Sequence, residues 1–224
     1  MLTARKKFTR KELHKDPLLA KIAMATDYAK LNRDKMSKAL TGVIVAIAAV
    51  WGYMYYKSSI DEDSLNRLYQ AEQAYLSGDN KEAIRRLAKY LAEFEGTKGG
   101  ELATFYLANA YYQTDQFDFA LEQYENYVDD YGSNDLLTAS AMAGIAACYE
   151  AQNKYADAAV QYEAVAGKFP EHYQRTEYMM GAARCYKMLG NVESAKSWYE
   201  RVVKEYPETT YAREARLAID EFGA

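Results

Sequence analysis

The chain has 224 residues, half of them apolar and 27% charged, which excludes wholesale disorder and allows one domain with an appendage. Two cysteines and two histidines exclude a disulfide framework and leave too few ligands for a transition-metal centre. The net charge of −4 averages unlike parts: residues 1–38 carry eleven basic and four acidic side chains (+7), residues 57–224 carry 17 and 28 (−11), and residues 39–56 carry none.

Asp16-Pro17 reads as a helix start, because Asp accepts from free N–H groups and Pro suits the first helical position. Leu18, Ile22, Ala25 and Ala29 then recur at helical spacing, with Leu19, Ala23 and Thr26 beside them. Lys15, Lys21, Lys30, Arg33 and Lys35 surround this stripe. The pattern predicts a basic amphipathic helix, suited to contact with anionic lipid or to docking on a partner subunit. The same charge also serves as a plain topology signal. Nucleic acid is not an expected partner, since no aromatic interleaving or fold motif accompanies the charge and the larger segment is acidic.

Residues 39–56, ALTGVIVAIAAVWGYMYY, form an uncharged run. As a helix it spans about 27 Å, enough for a transmembrane segment of minimal length. Trp51, Tyr53, Tyr55 and Tyr56 at its exit match an interfacial aromatic belt. A buried core helix is the rival reading, which the length of the run and its basic and aromatic flanks disfavour. A cleaved signal peptide needs a short leader and a small-x-small site, whereas 38 residues precede this run and Trp-Gly-Tyr-Met-Tyr-Tyr-Lys ends it. The expectation is an uncleaved single-pass anchor. Eleven basic residues before the run, against Lys57 followed by Asp61, Glu62 and Asp63 after it, place the N-terminus in the cytoplasm and residues 57–224 outside.

Beyond the span the chain repeats. Ala83, Ala120, Ala158 and Ala195 are spaced 37, 38 and 37 residues apart. Twelve residues before each stands Ala71, Ala108, Ala146 or Ala183, followed three or four residues later by Tyr75, Tyr111, Tyr149 or Tyr186. The turns SGDN (77–80), TDQF (114–117), QNKY (152–155) and LGNV (189–192) separate the halves. Four residues after the second alanine come Leu87, Tyr124, Tyr162 and Tyr199. The alanines predict close antiparallel helix pairs, with Tyr and Leu filling the gaps between pairs. Gly78, Asn153 and Gly190 are the turn residues that tolerate a left-handed backbone. One such pair cannot bury its apolar face, but a stack of pairs can.

The pattern small–x–x–Tyr, Gly/Asn, Ala–x–x–x–Tyr, Pro resembles the tetratricopeptide repeat family over roughly 64–207, with Tyr211–Phe222 as a capping helix. Repeat one departs from it, ending in GTKGG (96–100) where repeats three and four end in Pro170 and Pro207. The period exceeds the family's usual 34, which implies longer connections between repeats. The closing phrase EYPETTYAREARLAID is similar to the envelope members BamD and YbgF. The resemblance implies an all-α chain: a basic arm at 1–38, a transmembrane helix at 39–56, and an α-solenoid of about four helix pairs at 57–224. It implies a noncatalytic scaffold or adaptor that binds other proteins, without catalytic residues, cofactor or metal. The layout resembles the YfgM-type ancillary subunit of the Sec translocon. That implies a bacterial inner-membrane protein whose repeat domain is periplasmic. The alternative is a structural accessory subunit of a respiratory, photosynthetic or secretion assembly. With the domain in the cytosol, N-anchored organellar import receptors become the closer comparison.

The residues themselves offer little chemistry. GTKGG lacks the spacing and the strand–loop–helix setting of a phosphate loop. His14 and His172 fall on opposite sides of the span, and His172 reads as a solvated loop residue. Cys148 and Cys185 occupy equivalent repeat positions and read as buried thiols too far apart to bridge. Most tyrosines read as packing. Carried over from the family's concave groove, the recognition candidates are Phe105, Asn109 and Tyr112; Ala143, Ala147 and Glu150; and Met180, Arg184 and Lys187. The set lacks the cluster of basic side chains that would clamp an acidic tail.

Overall fold

The computed structural model describes residues 17–132 and 134–223. The basic residues Arg5 to Lys15 and the capping role of Asp16 lie outside the described residues. Ten helices and no strand occur among the described residues: α1 (Pro17–Leu31), α2 (Arg33–Leu76), α3 (Asn80–Phe94), α4 (Lys98–Gln113), α5 (Phe117–Asp130), α6 (Asp135–Ala151), α7 (Tyr155–Lys168), α8 (Arg175–Met188), α9 (Val192–Glu205) and α10 (Thr210–Glu221). The chain divides into two units between Ser58 and Ser59.

In the first unit, α1 begins at the expected proline. Its apolar residues do not keep to one face. Met24, Tyr28 and Leu31, spaced four and three apart, are exposed on the side opposite Ile22. The helix is basic, but its apolar stripe is less distinct than the spacing of Ile22, Ala25 and Ala29 predicted. The apolar run falls in the N-terminal part of α2. That run has a mean hydropathy of 1.6 and none of it is buried, and the helix is long and apolar enough to cross a membrane.

In the second unit, the C-terminal end of α2 pairs with α3, and α4 with α5, α6 with α7, and α8 with α9 follow. Helix α4 also touches α6, and α8 touches α10, contacts between alternate helices of the kind a solenoid makes. Seven of the eight repeat alanines are completely buried, and Ala71 is 7% exposed. A larger side chain there would hold the helices apart.

The four turns share one geometry. Gly78, Asp115, Asn153 and Gly190 all have φ between 58 and 81°. The following N–H of each bonds a carbonyl five residues back at 2.9–3.0 Å, which satisfies groups that the helix end would leave bare. Three of these residues carry the left-handed backbone predicted for them, and Asp115 is the fourth. Side-chain caps start five helices: Asp79 on α3, Thr97 on α4, Asn134 on α6, Asn191 on α9 and Thr209 on α10. Each such cap is worth about 1 kcal/mol.

Neighbouring pairs fit by exchanging size. The ring of Tyr124 on α5 lies against Gly144 on α6, where an added Cβ would stand 2.4 Å from a ring carbon. Tyr162 on α7 lies against Gly181 on α8 in the same way, at 2.9 Å. At the first junction the order is reversed. Leu87 holds the position of the tyrosines, and Tyr106 holds the position of the glycines and packs on the cluster containing Leu87. The two later junctions thus join a tyrosine to a glycine, and the first places the larger residue on the following repeat.

GTKGG is not an irregular repeat end. Thr97 caps α4, which begins at Lys98. The N–H of Lys98 donates to Asp61 Oδ1 (3.1 Å) and that of Gly99 to Ser64 Oγ (3.1 Å), while the Tyr90 hydroxyl donates to the Ser64 carbonyl (2.7 Å). Buried Asp61 and Ser64 on α2 therefore satisfy the first turn of α4. Gly99 is required there because a Cβ would meet the Ser64 backbone at 2.8 Å.

Candidate binding groove

A hollow of 470 Å³ opens on the second unit between α4, α6 and α8. Phe105, Asn109, Ala143, Ala147 and Arg184 line it, so five of the nine groove candidates share one cavity. The other four lie elsewhere. Glu150 stands at its edge, bound to Arg184. Tyr112 packs edge-on to Phe117 at 5.5 Å, Met180 is half-buried against the core, and Lys187 pairs with Glu221 on α10.

Two buried tyrosines reach from the second helices of their repeats to this cavity. Tyr124 donates its hydroxyl to Asn109 Oδ1 (2.6 Å). The Asn109 amide also hydrogen-bonds the Tyr75 hydroxyl, which leaves one of its N–H donors for a ligand. Tyr162 donates to Glu150 Oε2 (3.1 Å). Burial raises both phenols above their ordinary range, so they remain neutral donors. Arg184 binds Glu150 through two bonds of 2.5 and 2.8 Å, and the hydrogen bonds to Glu150 are the main reason its pKa rises further. The pair is partly exposed, at 51% and 21%, and is worth at most about 1 kcal/mol. The cavity's one arginine is thereby neutralised, and Glu177 at its rim is an exposed carboxylate.

The residues missed by the repeat pattern come from the connections. Leu136 and Leu137 start α6, and Tyr173 and Gln174 precede α8; all four line the cavity. Their signal was the period of 37–38, whose extra residues form these approaches. His172 also departs from its expected solvated role. Its Nδ1 accepts the Gln174 N–H (3.2 Å), which places the ring proton on Nε2, 3.3 Å from the Leu136 carbonyl. The half-buried ring therefore ties the approach to α8 to the start of α6.

Cys148 and Cys185 are buried free thiols, each pushed up to about 12 by burial. Among the described residues no group of three or more metal-ligating side chains converges.

Residues 34–212 match the model of the tetratricopeptide repeat-like domain. The chain belongs to this family. No curated protein matches it. Solved structures share the fold. A putative kinesin light chain with nearly identical TPR-like repeats from Podosopora anserina is 21% identical over 71% of this chain and 82% of its own, with a TM-score of 0.56. A tetratricopeptide repeat protein from Parabacteroides merdae is 15% identical over 72% of this chain and 59% of its own, at 0.58. MamA AMB-1 is 16% identical over 73% and 84%, at 0.55. Membership makes a protein-interaction scaffold the general expectation, since a stack of helix pairs offers extended surface and such repeats are generally noncatalytic.

Proposed function

We propose that the chain is a noncatalytic scaffold anchored in a bacterial inner membrane by residues 39–56. Residues 1–38 lie in the cytoplasm in this reading, and the repeat domain at 57–224 lies in the periplasm. The basic bias and the exposed apolar run support this arrangement. The groove of Phe105, Asn109, Tyr112, Ala143, Ala147, Glu150, Met180, Arg184 and Lys187 receives a segment of another protein, as a YfgM-like subunit would beside the Sec translocon. The carrying observation is the 470 Å³ hollow, where five of these residues, Asn109 with one N–H donor to spare among them, meet aromatic walls. With Arg184 neutralised, the hollow favours an apolar segment over an acidic tail.

A photo-crosslinking residue at Ala143 or Ala147 in native membranes tests this directly. The expected product is a discrete set of envelope proteins, absent when the probe sits at Lys196 on the far side of α9. Equal labelling from both positions refutes the groove. One stoichiometric partner would instead favour the accessory-subunit reading. Protease added to spheroplasts should digest residues 57–224 and spare the arm; the reverse refutes the orientation.

A further inference from the structure

A second hollow, of 330 Å³, lies on the first repeat, away from the groove. Arg67 on α2 and Arg85, Arg86 and Lys89 on α3 line it, together with a single carboxylate, Glu93. Four of the 17 basic residues in a segment of net −11 therefore converge on one spot. Its floor is apolar and buried: Ala71, Tyr90 and Phe94 are 6–8% exposed, and the two rings stack at 4.8 Å.

The cations are held in place with donors to spare. Glu82 takes Nε and Nη2 of Arg85 (2.8 and 2.6 Å) and Nε of Arg86 (2.7 Å). Arg86 also gives Nη1 to the Gln70 carbonyl (3.4 Å). Arg67 gives Nε to Asp63 and Nη1 to Glu93, both at 3.2 Å, with its guanidinium 5.4 Å from the Phe94 ring. One nitrogen of each guanidinium remains without a protein acceptor, and Lys89 forms no ion pair among the described residues. Asp63, Glu82 and Glu93 offset three of the four cations, leaving one positive charge. A tetrahedral monoanion with several acceptor oxygens matches convergent N–H donors with one surplus charge over an apolar floor.

We propose that this hollow binds a phosphate group, carried by a phospholipid headgroup or by a small soluble phosphate. The test uses the full chain in nonionic detergent, with inorganic phosphate and a short-chain phosphatidylglycerol as probes. Binding is followed by phosphorus NMR line broadening and by thermal shift. Inorganic phosphate should bind the wild type in low salt and be released in high salt. Lys89→Gln, which removes an exposed side chain without an ion pair, should weaken binding about fivefold or more. The Arg85→Gln/Lys89→Gln double variant should abolish it while keeping the wild-type circular dichroism. The arm is common to all these chains, so the difference between them reports the hollow. Competition by the short-chain lipid identifies a headgroup, and binding of phosphate without competition identifies a soluble phosphate. No response in the wild type, or an equal response in the variants, overturns the proposal.

Discussion

Gly144→Ala separates two opposing effects of one methyl group. In a helix interior the change is favourable by about 1 kcal/mol, because alanine loses less backbone entropy. Here the new Cβ would stand 2.4, 2.6 and 2.7 Å from three carbons of the Tyr124 ring. Ordinary carbon contacts are at about 3.5–4.0 Å, so the ring must retreat by about 1 Å. Tyr124 is only 4% exposed, and its hydroxyl is held by Asn109 at 2.6 Å. Overpacking costs about 1–3 kcal/mol, and loss of the hydrogen bond about 1 more. The net expectation is a destabilisation of about 1–3 kcal/mol, read as a lower urea midpoint by circular dichroism. Gly167→Ala in α7, with nothing within 4 Å of its added Cβ, should be neutral or raise the midpoint. Pairing Gly144→Ala with Tyr124→Leu imitates the smaller partner of the first junction and should cost less than the two changes summed. A Gly144→Ala chain as stable as the wild type, or strict additivity in the pair, refutes the size-exchange argument.

Gly99→Ala should cost at least about 2 kcal/mol, because its Cβ meets the Ser64 backbone at 2.8 Å, which cannot turn aside, as well as the Tyr90 hydroxyl at 2.1 Å. Asp115→Gly should stabilise the chain by no more than about 1 kcal/mol, read as a slightly higher urea midpoint, since glycine adopts φ of 58° without a Cβ but adds entropy to the unfolded chain. Cys148 and Cys185 should resist a maleimide in the native chain at neutral pH and react after unfolding. Their folded pKa of about 12 lies above the free-thiol value, so the unfolded chain loses these protons first. Their contribution to stability is full below about pH 8.5 and declines as pH rises toward 12, which alkaline denaturation series can measure.

The helix pairs were legible because alanine and tyrosine recur at a period near 37, and the period itself records the stacking. The left-handed turns were legible at Gly78, Asn153 and Gly190, where residue type reveals the backbone. Asp115 escaped because aspartate is at home in any turn. The size exchange was hidden because it links residues about 20 apart in adjacent repeats, whereas the repeat pattern compares equivalent positions. The groove was half legible. The repeat register placed Phe105, Asn109, Ala143, Ala147 and Arg184 on one hollow, but not the connections that bring Leu136 and Tyr173 to it. His172 was misread because a loop histidine after Pro-Glu gives no sign that the Leu136 carbonyl and the Gln174 amide await its ring.

The alternation of Leu87 with Tyr106, and of Tyr124 and Tyr162 with glycine, gives the repeats an order. Excising the third would bring Tyr124 against Gly181, a pairing of the same kind as the one lost. Excising the second would bring Leu87 against Gly144 and leave a gap that neither side fills. Recombination and engineering therefore meet a chain that can shorten near its C-terminal end but not near its first pair, where the modules are keyed rather than interchangeable.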